Sequence, residues 1–177
     1  MKAQNLKINN LLLVQKKVFR DQRGAFEVFW ESEWSGILPI NFSVTNAHHS
    51  YNRFAGTLRG LHYQAAPYQQ AKLVSCVSGK VFDVVVDLRK ESETFLEWAA
   101  VELESGSGKT LFIPRGCAHG FVTLEDNTTV AYLIEGEYRP DAAKIVRWND
   151  PQLGIVWPIN EPILSVRDKN APLVNQI

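Results

Sequence analysis

No run in this chain approaches the roughly 20 consecutive apolar residues of a membrane-spanning helix. An excess of either charge is missing too: the formal net charge is +0, so nothing global draws the chain to nucleic acid or a membrane surface, and any anion binding must be local. Cysteine is scarce. Cys76 and Cys117 are too few for a disulfide scaffold and lack metal-ligand spacing, so they read as small buried residues in a reducing compartment. Met1–Asn10 has no apolar signal core, which makes the cytoplasm the expected location. Internal repeats, linkers and low-complexity tracts are absent, and helical periodicity is missing until Pro162–Pro172, which can hold one short turn. What remains, 45% hydrophobic and 21% charged residues, is the composition of a globular chain, and 177 residues suit one domain over 1–177 with a real core.

The chain reads as strands. Leu11–Val14 is a short strand-like run, and Asp21–Gly24 a turn by its Asp and Gly. Ala25–Trp30 alternates as an aromatic-rich strand, and Phe42–Thr45 reads as another. Glu31–Ile40, broken by Gly36 and Pro39, holds a short helix or loop, and polar Asn46–Ala55 a loop or irregular strand. Ala71–Val77 and Val81–Leu88 flank Ser78-Gly79-Lys80 and pair as a hairpin. Trp98–Leu103, Thr110–Ile113, His119–Leu124 and Thr128–Glu135 follow, each bounded by turn residues. The Gly-rich Ser105–Lys109 lacks the ending and following helix of a phosphate loop and reads as a surface turn. Strands at this spacing predict a sandwich or barrel, with Trp148, Trp157 and Pro158 packing the C-terminal segment across it.

The stretch with the most chemistry is Arg59-Gly60-Leu61-His62-Tyr63-Gln64. In a regular strand positions 60, 62 and 64 share one face and 59, 61 and 63 the other, so His62 points inward with Gln64, and a twist or bulge near Gly60 can bring Arg59 to the same mouth. An imidazole beside a fixed cation suits proton transfer on an anionic substrate. His119 in Pro114-Arg115-Gly116-Cys117-Ala118-His119 matches the second motif of metal-binding cupin barrels. The first motif fails, because Gln64 stands where a second histidine belongs and Gln69, Gln70 and Lys72 replace the carboxylate ligand. Two imidazoles and a lysine hold a divalent cation poorly, so metal-free chemistry is expected. Lys72 shares a face with Val74 and Cys76: it either points inward to meet an anion or reaches out from the strand end. Tyr132 shares a face with Val130 and Ile134 and points inward; Asp168, near the C-terminus, is exposed by default.

Taken together these segments, with Gly79–Arg89, Tyr138-Arg139-Pro140, Trp148–Pro151, Trp157-Pro158 and Leu164–Asp168, resemble the dTDP-4-dehydrorhamnose 3,5-epimerase family from about Asp21 to Pro172. The resemblance implies an all-β, cupin-like jelly-roll barrel with a short C-terminal helical or irregular segment. It further implies no cofactor and no metal, a homodimer, and a nucleotide-diphosphate-linked 4-keto-6-deoxyhexose as substrate. By the same resemblance His62 is the base, Asp168 its orienter, Lys72 the stabiliser of the enolate oxygen and Tyr132 the acid on the opposite face. Arg59 and His119 hold the diphosphate or sugar, and Tyr138 presses on the sugar. Arg23 and Phe26 meet the nucleotide, reaching across from the partner subunit, and Asn46, His48, Ser50 and Gln64 complete the substrate contacts. Asp83 is a second candidate partner for His62.

Three departures mark the chain. Val28, with Glu27 beside it, stands where the family usually has glutamate; Asn46 and His48 replace a glutamine and an asparagine; Ala143 and Ile145 replace a glutamate and a glycine. The resemblance therefore implies the reaction class, inversion at C3, C5 or both by way of an enolate, before the nucleotide base. Two other readings share the fold: a sugar-nucleotide 3,4-ketoisomerase, which carries paired histidines where this chain has His62-Tyr63-Gln64, and a non-catalytic sugar-nucleotide-binding barrel.

Overall fold

The computed structural model describes residues 2–177, and of Ser35 the backbone only. In order the chain forms β1 (Lys2–Asn5), β2 (Leu12–Gln15), β3 (Val18–Asp21), β4 (Gly24–Glu27), a 3-10 turn (Ser32–Gly36), β5 (Asn46–Asn52), β6 (Leu58–Gln64) and β7 (Ala71–Ser78). It continues through β8 (Lys80–Asp87), β9 (Trp98–Glu104), β10 (Lys109–Ile113), β11 (Cys117–Thr123), β12 (Thr128–Glu135), β13 (Ala143–Ile145), one helical turn α1 (Val166–Lys169) and a 3-10 turn (Val174–Gln176). Two antiparallel sheets, ordered β1-β2-β10-β7-β12-β5 and β13-β6-β11-β8-β9, face each other as a cupin-like jelly roll, and β3-β4 forms a separate ribbon. This is the all-β class the sequence predicts.

The central strands read as continuous apolar runs because both of their faces are covered. In β8, Val81 and Val85 enter the core between the sheets with Val74, Cys76, Leu111, Phe121 and Val130. Val84 and Val86 face outward instead, into a second cluster where Val146, Leu153, Trp157 and Val174 of the C-terminal segment cover the five-stranded sheet. On the other sheet Leu73, Phe112 and Leu133 are covered by Leu38 and Phe42. The C-terminal segment does cross the sheet, as its tryptophans predict. Between Val81 and Val85, on the same inward face, sits Asp83, fully buried.

Local differences from the sequence reading have physical causes. Phe42–Thr45 is not a strand: Phe42 serves as a cover for the outer face, and edge pairing with β12 is taken by Asn46–Asn52, the polar segment read as a loop. An edge strand needs only one partner and tolerates polar side chains on its free side. The aromatic strand stops at Glu27, where the ribbon with β3 ends. β1, β3 and β13 are short and carry no alternation to read.

One irregularity positions the site. In the β6–β11 pairing His119 lies opposite His62 while Phe121 lies opposite Arg59, so β6 carries one extra residue there. Leu58 and Leu61, three apart, consequently both pack in the outer cluster, and Arg59 and His62, also three apart, both face inward. Gly60 makes this possible. Its φ is +138°, and a Cβ there would lie 2.5 Å from the Cα of Gly120. Gly60→Ala is expected to cost about 3 kcal/mol from the disfavoured φ and the overlap together, read as a lower urea midpoint. An unchanged midpoint would show that the crossing is not tight.

Candidate active site

A cavity of about 360 Å³ opens between the two sheets. It gathers His48, Ser50, Arg59, His62, Lys72, His119, Tyr132 and Tyr138 from six different segments of the chain. His49, Gln70, Phe121 and Ile134 also line it and were not among the expected site residues. A larger cavity of about 550 Å³ lies beside the C-terminal turn among Tyr63, Leu88, Phe95, Val174 and Ile177; its charged lining is Arg89, Lys90 and Glu91, and no histidine reaches it.

On the five-stranded sheet, His62 Nε2 lies 2.6 Å from Asp168 Oδ1. Asp168 is not exposed as its place near the C-terminus implies: it is buried. Its other oxygen accepts a hydrogen bond from Ser165 Oγ at 2.9 Å, and the same hydroxyl caps α1 by accepting from the Asp168 amide at 3.0 Å. Burial pushes the Asp168 carboxyl up, but His62 and the Ser165 hydroxyl outweigh it and hold the group below the usual carboxylate range. An ionised Asp168 accepts from Nε2–H, which leaves Nδ1 of His62 with a free lone pair. Ser165 was overlooked in the sequence reading; its signal is a serine three residues before an acidic residue at a helix start.

Asp83 does not reach His62. Its two oxygens lie 2.9 Å from Nε2 of His119, whose ring packs edge-on against Tyr132 with centroids 6.0 Å apart. The reason is register: Asp83 pairs with Phe121 across β8 and β11, one step along the inward face from His119. Burial lowers the Lys72 ammonium to about 8, while the negative charge of Asp83 acts against the shift. Lys72 lines the cavity, so it points inward rather than reaching solvent from the strand end. The Tyr132 phenol is pushed well up, first by burial and then by Asp83, with Arg59 pulling the other way. Arg59 is aimed by Asn52, whose Oδ1 accepts from Nε at 2.7 Å.

Several of the expected contact residues are engaged with other groups of the chain or stand outside this cavity. Gln64 is buried, and its amide is taken up by backbone: Nε2 donates to Tyr68 O at 2.7 Å and Glu137 O at 2.9 Å, and Oε1 accepts from Arg139 N–H at 2.8 Å. Asn46 donates to Thr45 Oγ1 and Gly136 O and does not line the cavity. Arg23 and Phe26 stand on the β3–β4 ribbon, where Arg23 pairs with Asp21 at 2.6 Å and Phe26 is 67% exposed; neither lines the cavity of its own chain. Glu27 does not make good the glutamate missing at Val28, because its carboxylate lies 3.5 Å from the buried Lys16 ammonium. Among the described residues no three His, Cys, Asp or Glu side chains converge as a metal ligand set.

A jelly roll with a carboxylate-oriented imidazole on one wall, and a lysine and a protonated phenol on the other, defines a cupin-type acid–base enzyme. The comparisons carry this further. The family model for dTDP-4-dehydrorhamnose 3,5-epimerase matches residues 5–176. The dTDP-4-dehydrorhamnose 3,5-epimerase of Salmonella typhimurium is 40% identical over 96% of this chain and 93% of its own. The solved structure of a Legionella pneumophila 3,5-epimerase in complex with dTDP-4-keto-L-rhamnose is 36% identical. It matches with a TM-score of 0.94 over 99% of this chain and 94% of that one. A 3'-monoepimerase of Streptomyces bikiniensis in complex with dTDP-quinovose matches at 34% identity and a TM-score of 0.89, over 96% and 86%. The chain belongs to the dTDP-4-dehydrorhamnose 3,5-epimerase family, and it is an isomerase.

The Lys72 environment makes a prediction about stability. Because its folded pKa of about 8 lies below the unfolded value of about 10.4, the unfolded chain binds more protons between those limits. The burden of burying the charge is thus full at pH 7 and relieved as pH rises through 8 to 10. Lys72→Met is expected to raise unfolding stability at pH 7 by roughly 1–3 kcal/mol and to remove the rise above pH 8. Urea unfolding at pH 7 and 9.5 decides it, and a less stable Met variant at pH 7 would contradict it.

Proposed function

We propose that the chain, as one cupin-type domain over residues 1–177, inverts C3 and C5 of a dTDP-linked 4-keto-6-deoxyhexose, converting dTDP-4-dehydro-6-deoxyglucose to dTDP-4-dehydrorhamnose for deoxysugar and polysaccharide synthesis. One observation carries the reading: His62 on β6 and Tyr132 on β12 belong to facing sheets and line the same cavity. A hexose lying between them offers one ring face to each.

The C4 ketone acidifies the hydrogens on C3 and C5. His62, held by Asp168, takes one of them as a proton, and the C–H electron pair becomes the enolate. Lys72 supplies positive charge to the developing C4 oxyanion, at a place where burial makes such a charge most effective. Tyr132 then gives its phenolic proton to the carbon from the other face, which inverts the centre. Arg59, close enough to lower the phenol's pKa, stabilises the phenolate left behind. Solvent restores both groups before the second centre reacts. Arg59 and His119 hold the diphosphate, with His48 and Ser50 at the mouth and Tyr138 against the sugar.

The ribbon supports a homodimer. Phe19 and Phe26 are exposed on it beside Arg23, outside the chain's own cavity, so a partner subunit's site is where Arg23 and Phe26 meet a nucleotide. Such a substrate belongs to the cytoplasm.

Incubation with dTDP-4-dehydro-6-deoxyglucose in deuterated water is expected to place deuterium at C3 and C5 with inversion. A 3-keto product would show a ketoisomerase, and binding without exchange a non-catalytic barrel. Tyr132→Phe is expected to keep exchange on the His62 face and to slow inversion by about 10²–10⁴-fold; unimpaired inversion removes Tyr132 as the acid. Phe26→Ala is expected to weaken nucleotide binding while light scattering still reports a dimer, and a monomeric wild type would refute the shared site.

A further inference from the structure

Tyr138 leans on the cavity from a connection, not from a strand. It lies between Glu135, where β12 ends, and Ala143, where β13 begins; it is 54% exposed, and its side chain makes no hydrogen bond among the described residues. The hydrogen bonds nearest to it are those of the peptide groups on either side. The flanking peptide groups are held by one side chain. Gln64 Nε2 donates to the carbonyl of Glu137 at 2.9 Å, and Gln64 Oε1 accepts from the amide of Arg139 at 2.8 Å. A single amide thus does what a neighbouring strand would do, satisfying the carbonyl before Tyr138 and the N–H after it. Nε2 also donates to Tyr68 O at 2.7 Å, tying this connection to the one after β6. Upstream, the carbonyl of Gly136 accepts from Thr45 Oγ1, Asn46 Nδ2 and Gln70 Nε2, so the segment is anchored before Tyr138 as well.

We propose that Gln64 is a positioning residue for the reaction, setting Tyr138 against the hexose through the two peptide groups that bracket it. It sits two residues from the base His62 on the same strand, so one strand carries both the base and the holder of the opposite rim. Glutamine suits this place because only an amide offers a donor and an acceptor at the same reach; glutamate would set oxygens against two carbonyls, and methionine fills the space with neither. The proposal rests on the epimerase reading in so far as Tyr138 contacts the sugar.

The test compares wild type, Gln64→Met, Tyr138→Ala and the double variant. Two measurements separate the clamp from the chemistry. Hydrogen exchange of the Arg139 amide, which donates to Gln64, needs no substrate: Gln64→Met is expected to speed it at least about tenfold with strand cores still protected. Unchanged exchange overturns the clamp, even if wild type proves not to be an epimerase. With dTDP-4-dehydro-6-deoxyglucose, Gln64→Met is expected to lower kcat about 10–100-fold, KM changing less, and to shift the ratio of deuterium entry at C3 and C5 in the same direction as Tyr138→Ala. The double variant is expected to be no slower than Tyr138→Ala alone, because the two act as a unit. Multiplying effects, or a C3 to C5 ratio moved by Tyr138→Ala and untouched by Gln64→Met, would overturn the proposal. A ratio that Tyr138→Ala itself leaves unchanged, with full activity, would overturn Tyr138 as the sugar contact and the catalytic part with it.

Discussion

Two glycines passing within van der Waals distance, Gly60 on β6 and Gly120 on β11, are the constraint on which the site depends. Strand geometry alternates faces, so a base and a cation three residues apart belong on opposite sides of a sheet. The extra residue at Gly60 breaks that alternation once, and the crossing with Gly120 leaves no room for a side chain on either strand. Leu58 and Leu61 then share the outer core while Arg59 and His62 share the cavity. The same local event serves packing on one face and chemistry on the other, which is why neither glycine is free to vary.

The second constraint is electrostatic. Asp83 is a fully buried carboxylate between the sheets, satisfied by His119, and its charge is felt by Lys72 and by Tyr132. It helps keep the lysine charged against burial, and helps keep the phenol protonated. Those are the states needed by a group that stabilises an oxyanion and a group that donates a proton. His62 is governed separately, by Asp168 and the Ser165 cap. The two walls of the cavity thus have independent carboxylates, Asp168 hydrogen-bonded to His62 and Asp83 to His119.

Much of this was legible in the residues. Long strands with turn residues between them predicted an all-β chain, and β7, β8, β11 and β12 fall where the apolar runs lie. The bulge at Gly60 followed from asking how Arg59 and His62 share a mouth. What could not be read was set by contacts distant in the chain. Asp83 was offered to His62, but the strand register delivers it to His119. What the residues did not foretell is that the amides of Gln64 and Asn46 bond backbone groups in the connection after β12, Gln64 also lining a smaller cavity with His62, Lys72 and Tyr138. Phe42 looked like a strand residue because covering an outer sheet face takes the same apolar side chain as being inside a sheet.

Of the departures from the family pattern, Val28 and Asn46 lie outside the cavity, whereas His48 pairs with Tyr132 and lines the cavity, and Ile145 pairs with His62. The most direct measurement is a crystal structure with a dTDP-hexose bound. It is expected to show the ring between the sheets, His62 and Tyr132 about 3–3.5 Å from opposite faces of it, and the diphosphate on Arg59 and His119. A hexose outside this cavity, or one meeting both side chains on a single face, would contradict the two-wall mechanism.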